Sequence, residues 1–196
     1  MDASADVARI VWQRLDVVGA EWCEVARTPE GIRIEGVALV GIDGDGHRID
    51  YHLALDAAGR TRSVRIGARA GDHRSLELDA DGEGGWRVDG VVLDVGARGG
   101  DASPPVLDVD LGFSPLTNSL PVWRFGPDTP VGSEQTIRVA WVLYPSLEVL
   151  VGTQSYTRLR ERSWRYRSTG FVADLELDTD GLVDTYAGYW RAIGRS

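Results

Sequence analysis

A chain of 196 residues with 43% hydrophobic and 26% charged side chains has the size and composition of one globular domain, able to bury roughly 70% of the surface its unfolded form exposes. Its formal charge of −9 argues against a nucleic-acid binder, because neutralising phosphates takes net or local positive charge. The one cysteine, Cys23, excludes an internal disulfide framework, and since all 21 basic residues are Arg a lysine nucleophile or Schiff base is ruled out.

In chain order, residues 1–20 lack the basic start and apolar run of a secretory leader. No stretch approaches the roughly 20 apolar residues of a membrane span, so a cytoplasmic protein is expected. Residues 9–12 (RIVW), 20–27 (AEWCEVAR), 32–41 (IRIEGVALVG), 48–56 (RIDYHLALD) and 61–69 (TRSVRIGAR) read as strands of period two. The arginines of 61–69 do not keep one parity, which predicts a bend or bulge near Gly67. SLELD, GWRVDGVVLDV and VLDVDL continue the series to Leu111. QTIRVAWVLY, LEVLVGTQSYTRLR, SWRYRS, FVADLELD and LVDTYAG resume it beyond a corner rich in Pro, Ser and Asn. Asp43-Gly44-Asp45-Gly46, Pro29-Glu30-Gly31, Asp81-Gly82 and Asp180-Gly181 supply hairpin turns. Helical period is confined to Ser4 through Leu15 and Tyr186 through Ile193. The expected fold is mainly β: one domain over 1–196, with about 12 to 15 strands in a long antiparallel meander. LELDADG (76–82) recurs as LELDTDG (175–181), each after an Arg-rich strand. That echo reads either as shared hairpin grammar or as a duplication of halves near 1–100 and 105–196.

Few constellations carry chemistry. Counting a calcium loop from Asp178 puts Val183 where Gly is required and Tyr189 where an acid is required. His47, His52 and His73 have no zinc spacing, so no metal or other cofactor is expected. There is no nucleophile elbow or phosphate-binding loop, and Cys23 lies between two glutamates, an unfavourable place for a thiolate. Asp108 and Asp110, on one face of a strand about 7 Å apart, would suit acid–base work on a sugar, or would form an Arg-paired face. The run 155–168 (SYTRLRERSWRYRS) sets five arginines among Tyr156, Trp164 and Tyr166. Folded as a hairpin turning near Glu161-Arg162-Ser163, it would hold sugars by stacking and phosphates by paired bonds, or pair with the abundant acids.

The corner DVDLGFSPLTNSLPVWR (108–124) resembles the signature of the bacterial putative glycolipid-binding family: an Asp-x-Asp pair, then Pro-x-Thr-Asn-x-Leu-Pro, then Arg. PSLEVLVGTQSY (145–156), FVADLELDTDGLVDTYAGYW (171–190), the strands between Tyr51 and Arg65, and Trp86 are similar to that family too. Pro104-Pro105-Val106 and Trp123 depart from its pattern. The resemblance implies a strongly curved open sheet, a half-barrel shaped like the carriers that ferry lipoproteins across the bacterial periplasm. It also implies a lipid or glycolipid ligand. On that reading an apolar cavity inside the curved sheet holds a greasy tail, and the protein is more plausibly a binder than an enzyme. Arg124, Arg165, Arg167, Gln154, Tyr156 and Trp123 hold a head group at its rim, with Asp110 and Asn118 at the cavity mouth. Two alternatives stand beside it: an enzyme acting through Asp108 and Asp110, and an interaction module that docks a partner chain on its curved sheet or edge.

Overall fold

The computed structural model describes residues 5–96 and 103–196. Eight strands precede the corner: β1 (Asp6–Arg14), β2 (Gly19–Thr28), β3 (Gly31–Ile42), β4 (Asp45–Asp56), β5 (Thr61–Ala70), β6 (Asp72–Ala80), β7 (Trp86–Val88) and β8 (Val91–Val92). Seven more are β9 (Val106–Leu111), β10 (Glu134–Val142), β11 (Val149–Arg160), β12 (Ser163–Ser168), β13 (Phe171–Leu177), β14 (Val183–Tyr186) and β15 (Trp190–Arg195). All 15 belong to one sheet, ordered β8 to β1 and then β15 to β9. The two ends of the chain meet in the middle of that sheet, where Ile10 faces Arg195 and Arg14 faces Trp190.

Alternation sets the faces. In β4, Ile49, Tyr51, Leu53 and Leu55 are buried while the residues between them are at least partly exposed. In β12 the large buried side chains are Trp164 and Tyr166, with Arg165 and Arg167 on the opposite face. The turns are built by aspartate. Oδ1 of Asp56 accepts from the amides of Ala58 and Arg60, and Oδ1 of Asp178 accepts from those of Asp180 and Leu182. Gly59 and Gly181 turn these loops at φ of 75° and 73°, where a Cβ would be strained.

One pairing breaks the antiparallel meander: β9 runs parallel to β10, Val106 beside Arg138 and Leu111 beside Val142. No tight hairpin joins parallel neighbours; the chain must cross back over the length of the strand. The crossover passes through the inside of the curved sheet. It starts beside the β10–β11 loop, where the Phe113 and Tyr144 rings lie 5.6 Å apart. It makes a 3₁₀ turn (Leu116–Asn118) and helix α1 (Ser119–Phe125). It finishes against the Asp56 and Asp178 turns, with Arg124 beside Gly59 and Trp123 beside Gly181. Pro121 is tolerated in α1 because its missing amide falls in the first turn, where helix amides have no internal partner. Phe113, Leu116 and Leu120 are almost wholly buried, so this plug occupies the axis where the sequence suggested an apolar hollow.

The sheet stays open. β8 and β9 are its edges, and side chains cover the β9 edge: Thr61 Oγ1 accepts from the Val109 amide at 3.2 Å, and Trp86 Nε1 donates to Val106 O at 2.7 Å. Blunting an edge in this way removes a template for aggregation.

Three local expectations are corrected. The helical period near the N-terminus belongs to β1, because Ile10 and Trp12 are buried between β2 and β15; Ser4 lies outside the described residues. The period over 186–193 belongs to β14 and β15 and the turn between them. The β4–β5 register is regular at Gly67, and its irregularity falls at Ala54/Leu55, beside the Asp56 turn.

Candidate functional site

The corner's polar residues form a connected network inside the sheet. Asp110 Oδ2 accepts from Gln154 Nε2 at 2.5 Å, and Oδ1 accepts from Thr117 Oγ1 at 3.2 Å. Thr117 Oγ1 in turn accepts from the Leu111 amide at 3.1 Å. Asn118 Nδ2 donates to the Tyr156 hydroxyl at 3.1 Å, and that hydroxyl lies 3.5 Å from Gln154 Oε1. Four residues singled out in the sequence, Asp110, Asn118, Gln154 and Tyr156, are therefore brought together, and they tie the plug to β9 and β11. Asn118, Gln154 and Tyr156 are buried, each held by at least one of these bonds. Burial raises the Asp110 carboxyl above its usual range, against the lowering bonds from Gln154 and Thr117, and holds the Tyr156 phenol well above its own.

Arg124 meets the other member of the Asp-x-Asp pair. Its Nε and Nη2 each donate to one oxygen of Asp108, whose side chain is 0% exposed. Burial raises the Asp108 carboxyl and the guanidinium opposes that shift. Both oxygens are engaged and shut away from solvent, so the pair reads as an internal clamp on α1. A third carboxyl anchors the start of the plug. Glu21 of β2 is buried, and its Oε1 accepts from the Tyr51 hydroxyl and, at 2.6 Å, from Ser114 Oγ. Burial pushes its acid up to about 8, and Oε2 has no partner among the described residues. Cys23 is fully buried, and burial, followed by the nearby Glu21, pushes its thiol well up.

Arg165 and Arg167 are not gathered with the others. On the outer face of β12, Arg165 makes two bonds to Asp174, at 2.7 and 2.9 Å, and Arg167 reaches Glu134 and Thr157.

Trp123 lines an open cleft, together with Arg158, Arg162 and Trp164 of the 155–168 run. The cleft holds about 500 Å³ at the end of the plug, between α1, the β11–β12 hairpin and the Asp178 turn. Val122, Pro127, Trp164 and Leu177 give it an apolar side, and Arg27, Arg158 and Arg162 a cationic one. Trp123 Nε1 donates to Gly181 O at 2.9 Å, and the Arg27 guanidinium sits 4.6 Å from the indole centre. Arg158 lies 5.8 Å from the Trp164 ring and is spent on carbonyls of Pro127, Thr129, Arg160 and Glu161. The turn at Glu161-Arg162 is the one the sequence predicted. Arg27 and Glu21 were missed, because an Arg and a Glu inside alternating strands carry no local signal of what lies across the sheet.

Residues 9–192 match the family model described as Putative glycolipid-binding. The crystal structure of a DUF1089 family protein from Pseudomonas aeruginosa is similar at 29% identity and a TM-score of 0.73, covering 88% of this chain and 92% of that one. A beta-barrel-like protein of the domain of unknown function DUF1849, from Brucella abortus, covers 98% of this chain and 97% of its own, with a TM-score of 0.52 and 9% identity. At that identity the likeness is one of fold alone. No curated protein matches the chain. No helix among the described residues is long and apolar enough to cross a membrane.

Proposed function

The chain belongs to the Putative glycolipid-binding family, and from that premise we propose that it binds a glycolipid-like amphiphile without transforming it. The reading rests on one observation: the cleft at the end of the plug sets two indoles and an aliphatic wall beside guanidinium groups in a single open site. Indole and aliphatic surface suits the first carbons of a tail or the apolar face of a sugar, and guanidinium forks suit polar head-group oxygens. The tail lies along this wall and outward, since the plug fills the axis of the sheet.

The test is native mass spectrometry of protein purified from its own host. Wild type is expected to carry an amphiphile of discrete mass that leaves chemically intact, and Trp123→Ala is expected to lose it. Repeated isolation with no adduct, or release of a cleaved ligand, would contradict the proposal.

A further inference from the structure

Three arginines and three acids line this cleft, yet among the described residues they are not paired with one another, and that points to a ligand class. Arg158 is only 8% exposed, yet its partners are backbone carbonyls and none is a carboxylate. Burying a charge without a counter-charge is costly, and the acids nearby do not supply one. Asp178 spends Oδ1 on the amides of Asp180 and Leu182 and Oδ2 on Arg195. Asp180 and Glu161 are exposed, and among the described residues neither carboxylate reaches a guanidinium. Arg27 spends one N–H on the Asp180 carbonyl at 3.0 Å, and Arg162, exposed at the rim, has no side-chain partner among the described residues. One face of each indole is already taken by a guanidinium, which leaves less ring for stacking a neutral sugar and more N–H edges for oxygens.

We propose that the cleft is an oxyanion site, taking the phosphate, sulfate or carboxylate of an anionic head group. Arg27 and Arg162 donate to its oxygens, and the positive charge of Arg158 faces it from below. This rests on the glycolipid reading for the rest of the ligand. Arg158 acts as a positioning residue, holding the 126–133 loop by its carbonyls.

Calorimetric titration with octyl β-glucoside, its 6-phosphate and inorganic phosphate alone separates the two ideas. The 6-phosphate is expected to bind at least about tenfold more tightly than the neutral glycoside, because charge-assisted forked bonds are the strong ones. Arg162→Gln, at an exposed position, should narrow that gap. Arg27→Gln should narrow it further. Equal binding of the two glycosides overturns the oxyanion site and leaves the glycolipid reading standing. Inorganic phosphate binding as tightly as the glycoside phosphate, with no neutral binding, supports the oxyanion site and overturns the glycolipid reading. Silence with all three probes overturns both.

Discussion

Glu21 sits where the plug first meets the sheet, and its environment makes stability depend on pH in a defined direction. Its acid is raised by burial to about 8 from an ordinary 4.5, so the folded chain keeps a proton that the unfolded chain gives up. The stabilisation is fully present below pH 4.5 and falls between pH 4.5 and 8. The loss runs at about 1.4 kcal/mol per unit and stops once both states are ionised. Glu21→Gln keeps an acceptor for Tyr51 and Ser114 and removes the titration. Urea unfolding of the variant from pH 5 to 9 should give a flatter stability profile than wild type; parallel profiles would assign the dependence elsewhere. Arg124→Leu should cost roughly 3–5 kcal/mol, because it strands a fully buried carboxylate, and the same urea curves read it. Asn118→Ala removes one buried bond to Tyr156, about 1 kcal/mol. It should leave ligand affinity unchanged, since the amide faces the plug network and not the cleft. A fall in affinity at unchanged stability would make Asn118 a binding residue.

At the scale of elements, the plug is the part that organises the site. α1 is gripped at its C-terminal end by the Asp56 and Asp178 turns and by Asp108 and Tyr156. The connected anchors set Trp123 in place, so the cleft inherits its geometry from the fold. Gly181→Ala should disturb it: φ is 73°, and a Cβ there would stand 2.7 Å from Trp123 Nε1. The expected result is a shift in indole fluorescence together with a stability loss of about 1–2 kcal/mol; an unmoved spectrum would detach Trp123 from the turn. The strands themselves were legible, because period two and Asp/Gly turns are local signals. The plug was legible only as a break. Pro115, Pro121 and Asn118 mark an end to strand pairing, but nothing local tells a chain corner on the surface from one that passes inside the sheet. The parallel β9–β10 pair follows from that path, and so do the burial of Asn118 and the partial burial of Asp110 and Arg124. The echo LELDADG/LELDTDG also looks different in the ladder. Counted across from Tyr51 and Tyr156, Leu78 corresponds to Leu175, a two-residue slip from the matching letters. β6 and β13, eight antiparallel pairings apart, point the same way, as tandem copies require.

For the whole molecule, the sheet is a curved wall, the plug fills its axis, and an amphipathic cleft opens at one end. The resemblance in the sequence led to the right family. It could not separate the inward Tyr156 and Gln154 from the outward Arg165 and Arg167, because face assignment across a corner depends on register that only pairing supplies. The central claim is that ligand enters at the plug's end and leaves the plug in place. The most direct measurement is an NMR titration with an anionic alkyl glycoside, following the Trp indole and Arg side-chain signals. The account predicts shifts at Trp123, Trp164, Arg27 and Arg162, with Trp12 and Trp86 unmoved. Shifts spread along the Phe113-to-Leu120 segment and its partners Tyr51 and Tyr156, with the cleft signals silent, would mean that the ligand displaces the plug, and would contradict it.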